Sequence, residues 1–156
     1  HKRHPEYLQE EIIPEHFGGD VFYDRQGRFY GTCLASFGIC YNPDRVRAMT
    51  PDHVPDTWRS LGEPRFLNTL AVSDPTKSGS ANKCYEAILQ QCMQEKVKLL
   101  GDEKAGVAAG WLDGFNLIKR IVANARLVTD GASQVPREIS SGNAAAGIKN
   151  AAQGRS

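Results

Sequence analysis

The sequence has no excess of charge of either sign and no long hydrophobic run. Its 19 lysines and arginines nearly balance 18 aspartates and glutamates, which gives a net charge of +1. Without a block of like charge, the basic surface of a protein that binds nucleic acid is missing. The longest apolar stretch, residues 34–41, is interrupted by Ser36 and Gly38 and is far shorter than the ~20 residues that span a bilayer. We therefore expect neither a nucleic-acid partner nor a membrane-spanning segment.

Cysteine is scarce, and the common catalytic and metal-binding motifs are missing. The four cysteines form no CxxC pair and have no histidine at the spacing typical of zinc ligands. The sequence also lacks the GxxxxGK[ST], GxGxxG and GxSxG patterns. We expect no metal, no cofactor and no nucleotide hydrolysis. An enzyme that uses Cys33, Cys40 or a serine as its nucleophile is kept as a third hypothesis.

The length and composition are those of one ordinary domain. A chain of 156 residues, of which 40% are hydrophobic, can bury about 70% of its unfolded surface. Short apolar strands alternate with helical patterns, an order that predicts an α/β layer fold in one domain over residues 1–156. The chain opens on His1 without a signal-like apolar stretch, so we expect a piece processed or excised from a longer protein.

Hydrophobic periodicity and capping residues predict the individual elements. Helices are predicted over residues 7–16, 42–49, 56–61, 81–93, 104–123 and 134–141. Strands are predicted within 21–41, around a turn at 24–27, and over 67–72, 126–129 and 143–148. Trp58 is expected to anchor the core. The helix over 104–123 carries an apolar series that includes Val107, Trp111, Phe115, Leu117, Ile118 and Ile121.

The loop over residues 73–80 joins a predicted strand to a predicted helix. The backbone N–H groups at the start of that helix converge with its positive end, which suits an anion. Hydroxyls of Thr76, Ser78 and Ser80 add donors, and Gly79 lets a ligand approach the backbone. Simple helix capping by Ser78 or Ser80 explains the same residues equally well.

A second loop, residues 129–134, repeats this arrangement, although Ser133 could again be only a cap. Ligands of open parallel sheets collect outside the carboxyl ends of the strands, where both loops would lie. We therefore predict one site for an anionic or polar solute, formed by Thr76, Ser78, Gly79, Ser80, Ala132, Ser133 and Gln134.

Five fragments, in order along the chain, resemble the second lobe of bacterial extracellular solute-binding proteins of ABC importers. The group they resemble includes the ferric-iron-binding type. The fragments are FGICYNPD at 37–44, PDTWRSL at 55–61, DPTKSGSA at 74–81, SQVP at 133–136 and SGNAAAGI at 141–148. The third is the strongest, because it is similar to the family turn that touches the ligand.

This resemblance implies a three-layer lobe of the type 2 periplasmic-binding-protein fold, excised from a receptor that closes around its solute. It further implies a non-enzymatic import component in the periplasm or outside the cell, with ABC permease subunits as partners. Iron is disfavoured, because residues 149–152 lack the adjacent tyrosines of the ferric-binding members, unless Tyr23, Tyr30 or the other lobe supplies ligands. The alternative function is an effector-binding regulatory domain of a transcription factor.

Overall fold

The computed structural model describes residue 7 and residues 12–17, 20–31 and 35–152. The chain divides into two compact units, one formed by residues 1–35 with 152–156 and the other by residues 36–151. That the chain is one lobe of a two-lobed receptor stays a prediction.

The first unit contains a short antiparallel pair of strands and a hairpin turn. Strands β1 (His16–Phe17) and β2 (Asp20–Val21) pair with each other. Tyr23 and Tyr30 then form an antiparallel bridge around the predicted turn at 24–27, which is confirmed. The helix predicted over 7–16 is wrong at its end, because His16 lies in a strand; residues 8–11 fall outside the described part of the chain.

The second unit is built on a four-stranded sheet. Its strands are β3 (Ala35–Tyr41), β4 (Leu70–Ser73), β5 (Ala125–Thr129) and β6 (Ala146–Ala152), in the order β3-β6-β4-β5. Strand β4 runs parallel to both β5 and β6. Strand β3 runs antiparallel to β6. The Cys40 thiol donates a hydrogen bond to the carbonyl of Gly147, whereas the N–H of Asn42, two residues later, donates to the carbonyl of Ala145, two residues earlier.

Strand β4 begins three residues later than predicted. Leu67, the predicted first residue, is 64% exposed, and Asn68 has a left-handed backbone with φ of 58°. A residue in that conformation cannot continue a strand. The buried strand therefore starts only at Leu70.

Helices cover both faces of the sheet. They are α1 (Pro43–Met49), α2 (Trp58–Leu61), α3 (Gly79–Leu100), α4 (Glu103–Ala123) and α5 (Gln134–Ser140), with a 3-10 turn at Pro64–Phe66. Leu70 and Val72 pack on the side of α3 and α4, whereas Ala71 packs on the side of α5 with Val135 and Ile139. This alternation along one strand produces three layers and confirms the predicted α/β class.

Local signals in the sequence explain where several helices begin and end. The side chain of Asn42 accepts hydrogen bonds from the first N–H groups of α1, and Thr57 does the same for α2. Helix α3 runs seven residues beyond its predicted end and stops at Gly101, whose left-handed φ of 66° favours glycine.

Helices α3 and α4 meet along a stripe of glycines. Gly106, Gly110 and Gly114 lie on one face of α4, and a Cβ atom added at Gly110 would stand 2.3 Å from the Cα of Met93. The two helix backbones are therefore in direct contact. None of the helices in the described part of the chain has the length and apolarity needed to cross a bilayer.

The apolar face predicted for α4 is only partly buried. Leu117 and Ile121 are buried, but Val107, Trp111 and Phe115 are 42%, 51% and 42% exposed. The glycine stripe takes the position against α3, so these larger side chains point away from it.

Candidate functional site

Strands β4 and β5 end side by side. Ser73 is in register with Thr129, their hydroxyl oxygens lie 2.8 Å apart, and both residues are buried. The N–H of Asp74 donates to the carbonyl of Thr129 at 2.9 Å. The turn after β4 and the turn after β5 thus lie next to each other at one edge of the sheet, as parallel pairing predicts.

The first turn is held by Asp74. Its Oδ1 accepts the N–H of Thr76 at 2.8 Å and the Thr76 hydroxyl at 2.7 Å. These two hydrogen bonds, of which the one from the hydroxyl has the larger effect, hold the pKa of Asp74 below its usual value. Because the Thr76 hydroxyl already donates to Asp74, it meets a solute as an acceptor in this arrangement.

The start of α3 combines a cap with free donors. Ser78 accepts the N–H of Ala81 at 3.3 Å, so the capping interpretation holds for this serine. The N–H groups of Gly79 and Ser80 have no acceptor among the described residues. The Ser80 hydroxyl likewise has no partner within that part of the chain. Two amides and one hydroxyl are therefore available at the tip of a 22-residue helix.

The second turn has a different local structure. Ser133 precedes α5, but its backbone is already helical and its side chain makes no capping bond. The capping interpretation is therefore wrong for Ser133. Ser133 and Gln134 are exposed and Ala132 is half-buried, while the N–H of Gln134 donates to the carbonyl of Gly131 at 3.0 Å.

An ion pair connects the two turns. The Lys77 ammonium lies 2.7 Å from Oδ1 of Asp130, with side-chain exposures of 54% and 72%. The hydrogen bond and negative charge of Asp130 raise the pKa of Lys77, and the charge of Asp74 adds a smaller effect in the same direction. The sequence analysis missed this pair; a lysine in one turn and an aspartate opening the next was the only signal for it.

The edge is shallow. The cavity behind it, lined by Ser73, Tyr85 and Ala132 among others, has a volume of only about 10 Å³, too small for a solute. A ligand would therefore rest on the two turns, facing outward. Covering it would require a further surface, as in a two-sided cleft.

The described residues show no clustered metal ligands and no cysteine with a lowered pKa. They contain no group of three or more His, Cys, Asp and Glu side chains that could hold a metal ion. Burial raises the pKa of Cys84 to about 11 and also raises those of Cys40 and Cys92. Such thiols stay protonated near neutral pH. Cys33 lies outside the described residues.

The family is decided by a match over residues 39–156 to the model of the bacterial extracellular solute-binding proteins. The chain belongs to this family. The assignment confirms the resemblance carried by the five sequence fragments; membership of the ferric-iron group stays a prediction. No protein of curated function is a significant match.

Two solved structures share the fold of this solute-binding protein. The periplasmic binding protein AfuA from Actinobacillus pleuropneumoniae, with exogenous fructose-6-phosphate bound, is 20% identical with a TM-score of 0.57. The similarity covers 80% of this chain and 35% of AfuA. The periplasmic binding protein P5PA is 18% identical with a TM-score of 0.57, over 77% of this chain and 32% of P5PA. The chain thus spans about a third of either protein and has the architecture of a periplasmic-binding-protein lobe.

Proposed function

We propose that this chain is the solute-binding part of an ABC import system and that it is not an enzyme. In this proposal a small anionic or polar solute rests on the edge where β4 and β5 end. The single observation that carries the proposal is that the amide-rich start of α3 and the turn after β5 are held together, at adjacent strand ends, by the buried hydroxyl pair of Ser73 and Thr129.

The chemistry of this edge favours a negatively charged group. The free N–H groups of Gly79 and Ser80 lie at the positive end of a long helix, where anions are stabilised. Lys77 supplies a full positive charge, and its exposed pair with Asp130 contributes little stability, so a solute anion can replace the carboxylate. The proposed contacts come from Thr76, Lys77, Ser78, Gly79, Ser80, Ala132, Ser133 and Gln134.

Two further parts of the proposal rest on the family. Extracellular solute-binding proteins work outside the cytoplasmic membrane, so we place this chain in the periplasm or outside the cell, with ABC permease subunits as its partners. The ligand named for AfuA is a sugar phosphate. Fructose 6-phosphate and inorganic phosphate are therefore the first probes to test.

The proposal is tested by removing one amide donor without moving the helix. Gly79 is the first residue of α3, a position that accepts proline, which lacks an N–H group. The preceding Ser78 has φ of −132° and ψ of 113°, which is compatible with a following proline. We expect Gly79→Pro to weaken the binding of fructose 6-phosphate about tenfold or more, as for a lost hydrogen bond to a charged group.

Gly79→Ala is the matched control, because it changes the same residue but keeps the amide. Binding is followed through the chemical shifts of backbone amides in the two turns during a titration. The proposal requires Gly79→Ala, whose added methyl group meets no protein atom within 4 Å, to bind more tightly than Gly79→Pro. Equal affinities of the proline and alanine variants, or no saturable shifts with either phosphate probe, would contradict it.

A further inference from the structure

A cavity lies away from the proposed site, beside the edge strand β3. It has a volume of about 320 Å³ and lies between β3, the segment before α2 and the middle of α3. Its lining includes the aromatic residues Phe37 and Trp58, the acidic Asp56 and the polar Gln91. Volumes of this order are typical of pockets that hold small molecules.

Trp58 forms a wall of this cavity and of a second one. The indole is only half-buried and packs against the main core, and it also lines a cavity of about 80 Å³ next to Arg59 and Glu95. The expectation that Trp58 anchors the core is therefore only partly met. Trp58 therefore borders open space at two cavities.

The charge around this aromatic wall is negative. Asp56 is exposed and forms no ion pair with a lysine or arginine of the described chain; the Ser60 hydroxyl, at 3.4 Å, is its hydrogen-bond partner. The nearby Arg59 is already shared between Glu95 and Asp113, each at 2.8 Å. Arg59 thus pairs with two carboxylates, and Asp56 has no lysine or arginine as a counterion among the described residues.

We infer that this cavity binds a small organic cation, with an ammonium group on a short apolar chain. The ammonium would lie between the Asp56 carboxylate and the face of Trp58, where a charge-assisted hydrogen bond and a cation–π contact act together. The apolar chain would lie along Phe37. This inference is independent of the function proposed above, because the two sites share no residue.

The inference is tested with n-butylammonium as the probe and tryptophan emission as the readout. The chain has two tryptophans, and Trp111→Phe removes the other one, which is exposed on α4. In that background we expect a saturable change in Trp58 emission with n-butylammonium and none with n-butanol. Asp56→Asn should weaken binding about fivefold to tenfold, as expected for the loss of a charged acceptor.

Asp52→Asn is the matched control, since it removes the same charge from an exposed residue outside the cavity. It should leave the affinity unchanged. The inference is overturned by an absence of saturation, by equal responses to n-butylammonium and n-butanol, or by equal affinities of Asp56→Asn and Asp52→Asn. Because Gly79→Pro should not alter n-butylammonium binding, the failure of either proposal can be recognised separately.

Discussion

The glycine stripe of α4 predicts that Gly110→Ala lowers the stability of the protein, although alanine is the better helix former. A methyl group added at Gly110 would stand 2.3 Å from the Cα of Met93 and 2.6 Å from the carbonyl oxygen of Cys92. Both atoms are about 1 Å or more inside ordinary contact distance. Because they belong to the backbone of α3, they cannot move without moving the helix.

The expected destabilisation follows from two opposing effects. Overpacking costs about 1–3 kcal/mol, and we expect the upper end for Gly110→Ala because the contacts are with backbone. Replacing glycine by alanine inside a helix returns about 1 kcal/mol. The net loss should be about 2 kcal/mol, or roughly 4–8 °C in Tm for a chain of this size.

Urea unfolding followed by far-ultraviolet circular dichroism measures this loss as a shift of the midpoint. Gly79→Ala is the control, because its added methyl would meet no atom within 4 Å, so its stability should be unchanged or slightly raised. If Gly110→Ala proved as stable as that control, helix propensity alone would govern the position. The direct contact between the α3 and α4 backbones would then be refuted.

Further predictions concern caps and ion pairs. Ser78→Ala should lower the free energy of unfolding by about 1 kcal/mol, because it removes the cap of α3, whereas Ser133→Ala, which removes no capping bond, should leave the urea midpoint unchanged. Arg59 lowers the pKa of Asp113, so its stabilising effect is complete above the ordinary carboxyl pKa and is lost as the pH falls through the lowered value. The difference in urea midpoint between wild type and Arg59→Gln should therefore shrink as the pH falls below the ordinary carboxyl pKa; a constant difference would show that charge is not the cause. The buried Asn124 donates to two carbonyls at 2.8 Å each, and Asn124→Ala should cost about 2–3 kcal/mol in thermal or urea unfolding, a smaller loss indicating that water replaces the amide.

The elements defined by local signals could be predicted from the sequence. Asn42 followed by Pro43 marks the start of α1, and Thr57 caps α2. The adjacency of the two turns also followed from the sequence, because parallel strands place their carboxyl ends together. Local chemistry and one topological rule were therefore enough for the frame of the proposed site.

Features that depend on contacts between distant segments could not be predicted. Periodicity assigns large apolar residues such as Trp111 to the core, but it cannot show that the glycines on the neighbouring face permit a closer helix contact. The pair of Lys77 and Asp130 joins residues far apart in sequence. The cavity beside Trp58 likewise depends on how β3, α2 and α3 come together.

The buried hydroxyl pair at the ends of β4 and β5 affects the entropy change of solute binding. Ser73 is 5% exposed and its hydroxyl bonds only to that of Thr129 among the described residues, so separating the turns would leave a buried hydroxyl without a partner, which is unfavourable. The surface formed by the two turns is thus preorganised before a solute binds. The binding of the proposed solute would therefore cost little conformational entropy for ordering these loops. Any conformational change on binding would have to be a rigid-body movement.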